Sequence, residues 1–159
     1  EVPDPNFEAA IRADIPIKYA PANEMYDIDV NAVTYLNVTY SSVSNMVGIK
    51  SFASLYNLSC NNNSLTNLDV AGLSNLKYLY CANNSLTNLD VSGLSNLRKL
   101  FCENNKLTNI LDLSSLNTTM STVMVTDNFL TEIIIADTSS PPNHFFYDDG
   151  VIISEPAPP

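Results

Sequence analysis

The stretch "LKYLYCANNSLTNLDVSGLSN" spans Leu76–Asn96, and near copies of it lie on both sides. The copy before it is "LYNLSCNNNSLTNLDVAGLSN" (Leu55–Asn75), and the copy after it is "LRKLFCENNKLTNILDLSSLN" (Leu97–Asn117). All three follow the pattern L-x-x-L-x-C-x-x-N-x-L. Weaker copies start at Val33 and Met120, which makes five repeats. A period of this length predicts stacked units that share one continuous core.

Each copy contains a short piece in which apolar and outward positions alternate, such as "YLYCA". Alternation at period two predicts a strand with one buried face. Leu79 and Cys81 should point into the core, whereas Tyr78, Tyr80 and Ala82 should point outward. The predicted strands lie near residues 35–38, 57–60, 78–81, 99–102 and 122–125. They should form one parallel ladder, and Leu68, Val70, Leu73 and their equivalents should close the core on the return path.

An asparagine follows each strand at the bend of the chain. Its amide group both donates and accepts hydrogen bonds, so stacked copies can satisfy the backbone groups that the bend would leave unpaired. We therefore expect a structural role for four residues, namely Asn63, Asn84, Asn105 and Asn128.

Three cysteines, Cys60, Cys81 and Cys102, recur at the 21-residue period. They could be metal ligands, disulfide partners or core residues. A zinc site needs ligands that converge on a tetrahedron, which a linear ladder does not provide. A disulfide needs Cβ atoms about 3.8 Å apart, closer than neighbouring strands at about 4.8 Å. We therefore expect free, buried, structural thiols and no bound metal.

The repeat pattern resembles the leucine-rich repeat family almost position by position. Its second half, "LTNLDVSGLSNL", is similar to the short repeats of secreted or cell-surface bacterial members of the internalin type. This resemblance implies a right-handed α/β solenoid with a parallel β-sheet on its concave face. It also implies a non-catalytic binding module that is secreted or displayed on a bacterial surface.

The segments that flank the repeats are predicted to cap the solenoid, since a bare end would expose its core. "DPNFEAAIRADI" should form a helix with Asp4 as its N-cap and Pro5 in its first turn. Similar helices open many leucine-rich repeat proteins of Bacteroidetes-type bacteria. "HFFYDDGVIIS" predicts a hairpin that turns at Asp149 and Gly150. The expected organisation is an N-terminal cap (1–32), five repeats of about 21–23 residues (33–136), a C-terminal cap hairpin (137–154) and a linker or tail (155–159).

Composition excludes several classes of function. The 159 residues carry a net charge of -10 with only seven Lys and Arg, so no basic cluster favours nucleic acid or an anionic membrane surface. The apolar runs are too short to span a membrane. We expect no enzyme activity and no cofactor. The single histidine, His144, has no nucleophile motif beside it.

Two acidic patterns could suggest calcium. "DIDVN" (Asp27–Asn31) begins like a calcium loop but lacks the required Gly and Glu at later positions. Asp69 and Asp90 stack at the repeat period, and Asp112 falls after a small insertion that breaks the alignment. A column of this kind more often bonds local backbone, although cation binding stays open.

The outward positions of the strands form two columns. One column reads Tyr35, Asn57, Tyr78, Lys99, Thr122, and the next reads Asn37, Ser59, Tyr80, Phe101, Met124. Exposed aromatics favour strands in general, but on a rigid sheet they also form binding sites. The candidate ligand-binding residues are Tyr35, Tyr40, Tyr78, Tyr80, Lys99 and Phe101. A protein is the expected partner and a glycan the second candidate, while a structural spacer is the alternative role.

Overall fold

The computed structural model describes residues 4–15, 30–116 and 120–157, and within these ranges the chain forms one helix, two short 3-10 turns and nine strands. Helix α1 covers Pro5–Asp14, and the 3-10 turns cover Val30–Ala32 and Ile49–Ser51. The strands are β1 (Tyr35–Asn37), β2 (Asn57–Ser59), β3 (Tyr78–Tyr80), β4 (Lys99–Phe101), β5 (Thr108–Asp112), β6 (Thr122–Met124), β7 (Phe129–Ile134), β8 (His144–Phe146) and β9 (Ile152–Ser154).

The predicted ladder is confirmed. Strands β1, β2, β3, β4, β6 and β8 form one sheet in that order, and each pairs with its neighbours in parallel. We call it the main sheet. Its first five strands begin where the repeat pattern placed them and end one residue earlier, because the inward residue after each strand already turns towards the bend. The repeats therefore stack in register as a parallel-strand solenoid.

The core of the solenoid is a stack of equivalent side chains. Leu58, Leu79 and Leu100 occupy the same position in successive coils, and none of the three has measurable solvent exposure. Leu68, Val70 and Leu73 on the return path are also buried, as the repeat pattern predicts. Each coil alone has too little apolar surface to fold, so stability depends on contact between neighbouring coils.

The asparagines at the bend link adjacent coils through the carbonyl groups of the cysteines. The Cys81 carbonyl accepts a hydrogen bond from Asn84 Nδ2 at 3.1 Å and another from Asn105 Nδ2 of the next coil at 3.0 Å. The Oδ1 atom of Asn105 accepts from the Leu86 backbone N–H at 3.0 Å. Equivalent bonds join Asn63 and Asn84 to the Cys60 carbonyl. We call this set, with Asn128, the asparagine ladder.

A second feature repeats just before each bend. One equivalent residue in each coil adopts a left-handed backbone conformation, with φ between 53° and 58°: Tyr40, Asn62, Asn83, Asn104 and Asp127. Ser42 in the first coil also does so, with φ 54°, but lies outside this column. Asparagine and aspartate tolerate this conformation better than other non-glycine residues. Tyr40 is the exception in the column, and its side chain is 78% exposed.

The N-terminal end of the ladder is closed by α1. Asp4 caps the helix by accepting from the Asn6 N–H, as predicted, and Phe7, Ala10 and Ile11 are buried against the first coil. The Asp4 carboxylate also accepts hydrogen bonds from the Ser44 and Asn45 backbone. At the other end of the helix, Asp14 Oδ2 accepts from the Asn37 N–H of β1 at 2.7 Å.

The predicted C-terminal hairpin (137–154) is wrong. Asp149 and Gly150 do form a turn, but β8 pairs with β6 in the main sheet and β9 pairs with β7. Strands β5, β7 and β9 form a second, parallel sheet. The backbone groups of β6 and β7 need partners, and the next coil of the solenoid supplies them to both sheets at once.

Residues 16–29 of the predicted N-terminal cap lie outside the described residues, and they include Asp27 and Asp29 of the calcium-like motif. In the described part of the chain, no helix has the length and apolar character needed to cross a membrane.

We predict that Asn105→Ala strongly destabilises the fold. The substitution removes the acceptor of the Leu86 N–H and a donor to two cysteine carbonyls in a site where Asn105 is 6% exposed. Leaving several buried backbone groups without partners should lower the free energy of unfolding by about 3 kcal/mol or more. Urea unfolding of the exposed-site control Asn88→Ala should shift by about 0.5 kcal/mol or less. Equal effects of the two substitutions would contradict a structural ladder.

We also predict that Asp4→Asn weakens the N-terminal end in a pH-dependent way. Burial alone would raise the pKa of Asp4, but hydrogen bonds from Ser44, Asn6 and Asn45 outweigh it and lower the pKa to about 2. The folded-state pKa lies below the usual 3.8, so the carboxylate stabilises the fold above about pH 4 and the gain is lost towards pH 2.

The free energy of unfolding of the variant should be lower by about 1–2 kcal/mol at pH 7. It should also decline less steeply than that of the unsubstituted protein between about pH 4 and pH 2. Thermal unfolding across this pH range measures both effects. Asp149→Asn, in the exposed turn before Gly150, is the control and should follow the unsubstituted protein. A parallel decline of Asp4→Asn and the unsubstituted protein would show that Asp4 does not contribute through its charge.

Candidate binding surface

The solvent-facing side of the main sheet carries the two predicted columns in register. Tyr78 is paired with Lys99, and Tyr80 with Phe101, on strands β3 and β4. The columns extend one strand further than predicted, to His144 and Phe146 on β8. Sequence reasoning missed this extension because it assigned that segment to a hairpin. We call this side of the main sheet the outer face.

The closest aromatic pair on the outer face is Tyr80 with Phe101. Their ring centroids are 5.0 Å apart and the rings are inclined by 24°, so they stack. Both side chains are half-buried. Burial is the main cause that raises the pKa of Tyr80, and nearby Tyr78 and Tyr35 add to it, so its hydroxyl is neutral at pH 7. The stack presents a fixed apolar ridge across β3 and β4.

A second cluster joins tyrosines and lysines at the starts of the strands. Lys99 Nζ lies 5.8 Å from the Tyr78 ring centroid, and Lys77 Nζ lies 4.9 Å from the Tyr56 ring centroid. Tyr56 and Tyr78 meet edge to face, with centroids 5.2 Å apart. Sequence reasoning missed Tyr56 and Lys77 because the alternating pattern was read only from the first residue of each strand. The 21-residue spacing of Tyr56 and Lys77 was a usable signal.

Two candidate residues stand apart from these clusters. Tyr35 on β1 is 51% exposed, and Tyr40 follows β1 with no ring stacked on it among the described aromatics. One outward prediction is wrong: Ala82 is 3% exposed. It follows Cys81 at the bend, where its backbone N–H donates to Asn61 Oδ1 and its small side chain is covered.

Two buried side-chain oxygens lack hydrogen-bond partners among the described residues: Asn57 Oδ1 on the outer face and Glu103 Oε2 at the bend that follows β4. Asn57 lies between Tyr35 and Tyr78 in its column. Burial is the main cause that raises the pKa of Glu103, and Asp127 adds to it. Leaving an acceptor buried and without a partner costs free energy, so both atoms are unfavourable points in the structure.

The cysteine column has no chemistry of a reactive or metal-binding site. Cys60, Cys81 and Cys102 are free and fully buried. Burial raises the pKa of Cys60 to about 12 and raises those of Cys81 and Cys102 as well, so all three stay protonated at pH 7. In the described ranges, no three His, Cys, Asp or Glu side chains are grouped so that they could hold a metal ion.

The remaining polar motifs have local roles. Asp69, Asp90 and Asp112 each accept a hydrogen bond from the backbone N–H two residues later, so Asp112 keeps the role of the column despite the insertion. Asp69 also pairs with Lys50. His144 is exposed on β8, where its backbone N–H donates to the Ser121 carbonyl.

Comparison with known proteins supports the repeat assignment. Residues 74–117 match the family described as leucine-rich repeats, two copies. The functional domain of InlJ from Listeria monocytogenes, which includes a cysteine ladder, is 37% identical with a TM-score of 0.70. That match covers 86% of this chain but only 29% of the InlJ chain. No curated protein matches this sequence.

Two further solved structures share the fold. The leucine-rich repeat ectodomain of the receptor kinase SOBIR1 from Arabidopsis thaliana is 25% identical with a TM-score of 0.62, over 77% of this chain and 73% of that chain. The internalin InlF from Listeria monocytogenes is 20% identical with a TM-score of 0.60, over 96% and 55% of the two chains, and shows the fold alone. The chain is therefore a leucine-rich repeat solenoid that is similar to internalins.

We predict that Cys60, Cys81 and Cys102 are protected in the folded protein. A water-soluble maleimide should label them about 100-fold or more slowly than in the urea-unfolded chain, because labelling requires the core to open. Mass spectrometry counts the labelled sites, and all three should react after unfolding. A metal chelator should leave the melting temperature unchanged. Rapid labelling of the folded protein, or a chelator-induced drop in melting temperature, would contradict a structural role.

Proposed function

We propose that this chain is a non-catalytic protein-binding module and that it holds its partner on the outer face of the main sheet. The observation that carries this proposal is the Tyr80–Phe101 stack, half-exposed on two short strands that are fixed by hydrogen bonds on both sides. Large aromatic side chains on a rigid support bury much area at little cost in conformational entropy.

The surroundings of the stack support recognition by a protein. Tyr78 and Tyr56 extend the aromatic surface towards the strand starts. Asn57 and Lys99, which are paired with Tyr78 on the neighbouring strands, place polar groups beside this aromatic surface. A central aromatic anchor surrounded by polar groups is the usual composition of the energetically dominant part of a protein interface.

A glycan is the second candidate ligand, favoured by the exposed rings of Tyr35 and Tyr40. Neither ring is stacked against another described aromatic, so their faces are free for a sugar. They lie on or just after β1, whereas the larger aromatic cluster begins with Tyr56, just before β2, and extends over β3 and β4. We therefore place protein recognition first.

We further propose that the module belongs to a secreted or surface-exposed bacterial protein and that it serves in adhesion or recognition. The similarity to InlJ supports a bacterial, internalin-like context. The short repeat, the free cysteine column and the helix that closes the first coil are consistent with that context.

We predict that Tyr80→Ala combined with Phe101→Ala weakens partner binding at least about tenfold, since central aromatic anchors contribute about 2 kcal/mol or more each. The partner would first be captured from surface extracts, and affinity would then be measured by surface plasmon resonance. Because the two rings stack on each other, the double variant should also lose about 1 kcal/mol of stability without unfolding.

The matched control is Phe129→Ala combined with Ile152→Ala. These side chains are 67% and 63% exposed and lie on β7 and β9 of the second sheet, away from the outer face. The control should bind normally. If the control variant loses affinity and the Tyr80 and Phe101 variant does not, the binding surface lies on the second sheet. If neither variant loses affinity, the spacer role is favoured.

A further inference from the structure

The positive charges of this acidic protein are unevenly distributed. The chain has seven Lys and Arg and a net charge of -10. Arg12 pairs with Glu8, and Lys50 pairs with Asp69. Among the residues that the structure describes, no carboxylate lies within 4.0 Å of the charged nitrogens of Lys77, Arg98 or Lys99. Three unpaired cations therefore lie together on a protein with an excess of carboxylates.

These three cations occupy the start of β3 and β4 and surround two tyrosines. Lys77 and Arg98 hold the same position in adjacent coils, where the Arg98 backbone N–H donates to the Lys77 carbonyl at 2.9 Å. Lys77 lies over the Tyr56 ring and Lys99 over the Tyr78 ring. We call Tyr56, Lys77, Tyr78, Arg98 and Lys99 the cation–tyrosine patch.

The Tyr78 hydroxyl adds a hydrogen-bond donor to this patch. The Tyr56 hydroxyl donates to the Tyr78 hydroxyl oxygen at 3.5 Å, which leaves the Tyr78 proton for an incoming oxygen atom. The hydrogen bond with Tyr78 is the main cause that raises the pKa of Tyr56, so the hydroxyl keeps its proton at pH 7. An open cleft of about 650 Å³, lined in part by Tyr56, Lys77 and Asn75, adjoins the patch and gives an extended ligand room.

Carboxylates lie beyond the opposite ends of these strands. Glu103, Asp127 and Asp148 are at the bend, two or three residues after β4, β6 and β8 end. The outer face therefore has cations at the starts of β3 and β4 and is bordered by carboxylates beyond the strand ends. A partner that docks on it is oriented by this charge difference as well as by shape.

We infer that the cation–tyrosine patch binds the side-chain carboxylates of an acidic segment in the protein partner. Arg98 can bind a carboxylate through two parallel N–H donors, and the lysines and the Tyr78 hydroxyl can complete its hydrogen bonds. Charge complementarity favours this assignment, because no carboxylate of the described residues lies within 4.0 Å of the three charged groups. The inference rests on the proposed function, since it names the chemistry of the segment that docks beside the Tyr80–Phe101 stack.

The test uses short poly-L-glutamate as the probe and isothermal titration calorimetry as the measurement, at ionic strengths of about 0.01 M and 0.15 M. The unsubstituted chain should bind the probe at low salt and bind it more weakly at high salt. The triple variant Lys77→Gln, Arg98→Gln, Lys99→Gln should bind about tenfold or more weakly, because it removes all three charges that would pair with the probe. Far-UV circular dichroism should show the same melting temperature within a few degrees.

A matched pair of single variants separates a local site from net charge. Lys99→Gln lies in the patch, whereas Lys106→Gln changes the net charge by the same amount at an exposed position beyond the bend of the same coil. Lys99→Gln should weaken binding of the polyglutamate probe, and Lys106→Gln should leave it unchanged. No binding of polyglutamate by the unsubstituted chain, or equal losses for the two single variants, would overturn the inference.

Hyaluronate, a polysaccharide that also carries carboxylates, is the competing probe. Tighter binding of hyaluronate than of polyglutamate through the same three cations would overturn the assignment to a protein segment. Failure here is distinguishable from failure of the proposed function. The triple variant could keep full affinity for a captured protein whose binding requires Tyr80 and Phe101. The outer face would then bind protein, but the patch would not bind the carboxylates of that protein. If neither set of variants matters, both proposals fail.

Discussion

The asparagine ladder is the interaction on which the rest of this structure depends. Each asparagine amide bridges the carbonyl of its own coil, the carbonyl of the preceding coil and a backbone N–H beyond the bend. The main-sheet strands are only three residues long and could not hold a register by themselves. The amides supply the missing constraint at the point where the chain leaves the sheet. A bend with fixed partners then forces the following residues onto the return path and closes the core.

The same constraint explains both the buried cysteines and the outer face. The residue whose carbonyl receives two asparagine amides is held close to its equivalents, so a small apolar side chain suits the position, and cysteine meets that need without reacting. Inward and outward side chains alternate along each strand, so fixing the inward positions also fixes the positions of the outward side chains. The Tyr80–Phe101 stack and the cation–tyrosine patch therefore lie on a backbone that is already ordered in the folded protein. Binding a partner then costs little further conformational entropy.

Much of the fold could be predicted because residues 21 apart occupy equivalent positions in adjacent coils, which determines the register in which their strands pair. Once Leu79 and Leu100 were equivalent, the pairing of Tyr80 with Phe101 followed. The C-terminal segment could not be assigned in the same way. Asp149 and Gly150 signal a turn, but a local turn signal does not specify which strands pair across it, and β8 and β9 pair with earlier coils instead. The second sheet was also hidden, because the equivalent residues of earlier copies, such as Leu68 and Val70, form no strand. Side-chain contacts such as Lys77 over Tyr56 depend on rotamers that a repeat pattern does not contain.

Tyr40 has a consequence for anyone who wishes to modify this protein. It is the bulky member of a left-handed column that otherwise holds asparagine or aspartate, and its ring makes up little of the core because it is 78% exposed. Holding such a residue at φ 58° destabilises the fold by on the order of 1 kcal/mol, and packing against neighbouring coils must offset this strain. Tyr40→Asn is thus a stabilising exchange available to the engineer, and a melting temperature that does not rise would show that the tyrosine is not strained. The natural tyrosine lowers stability but places an exposed aromatic ring just after β1.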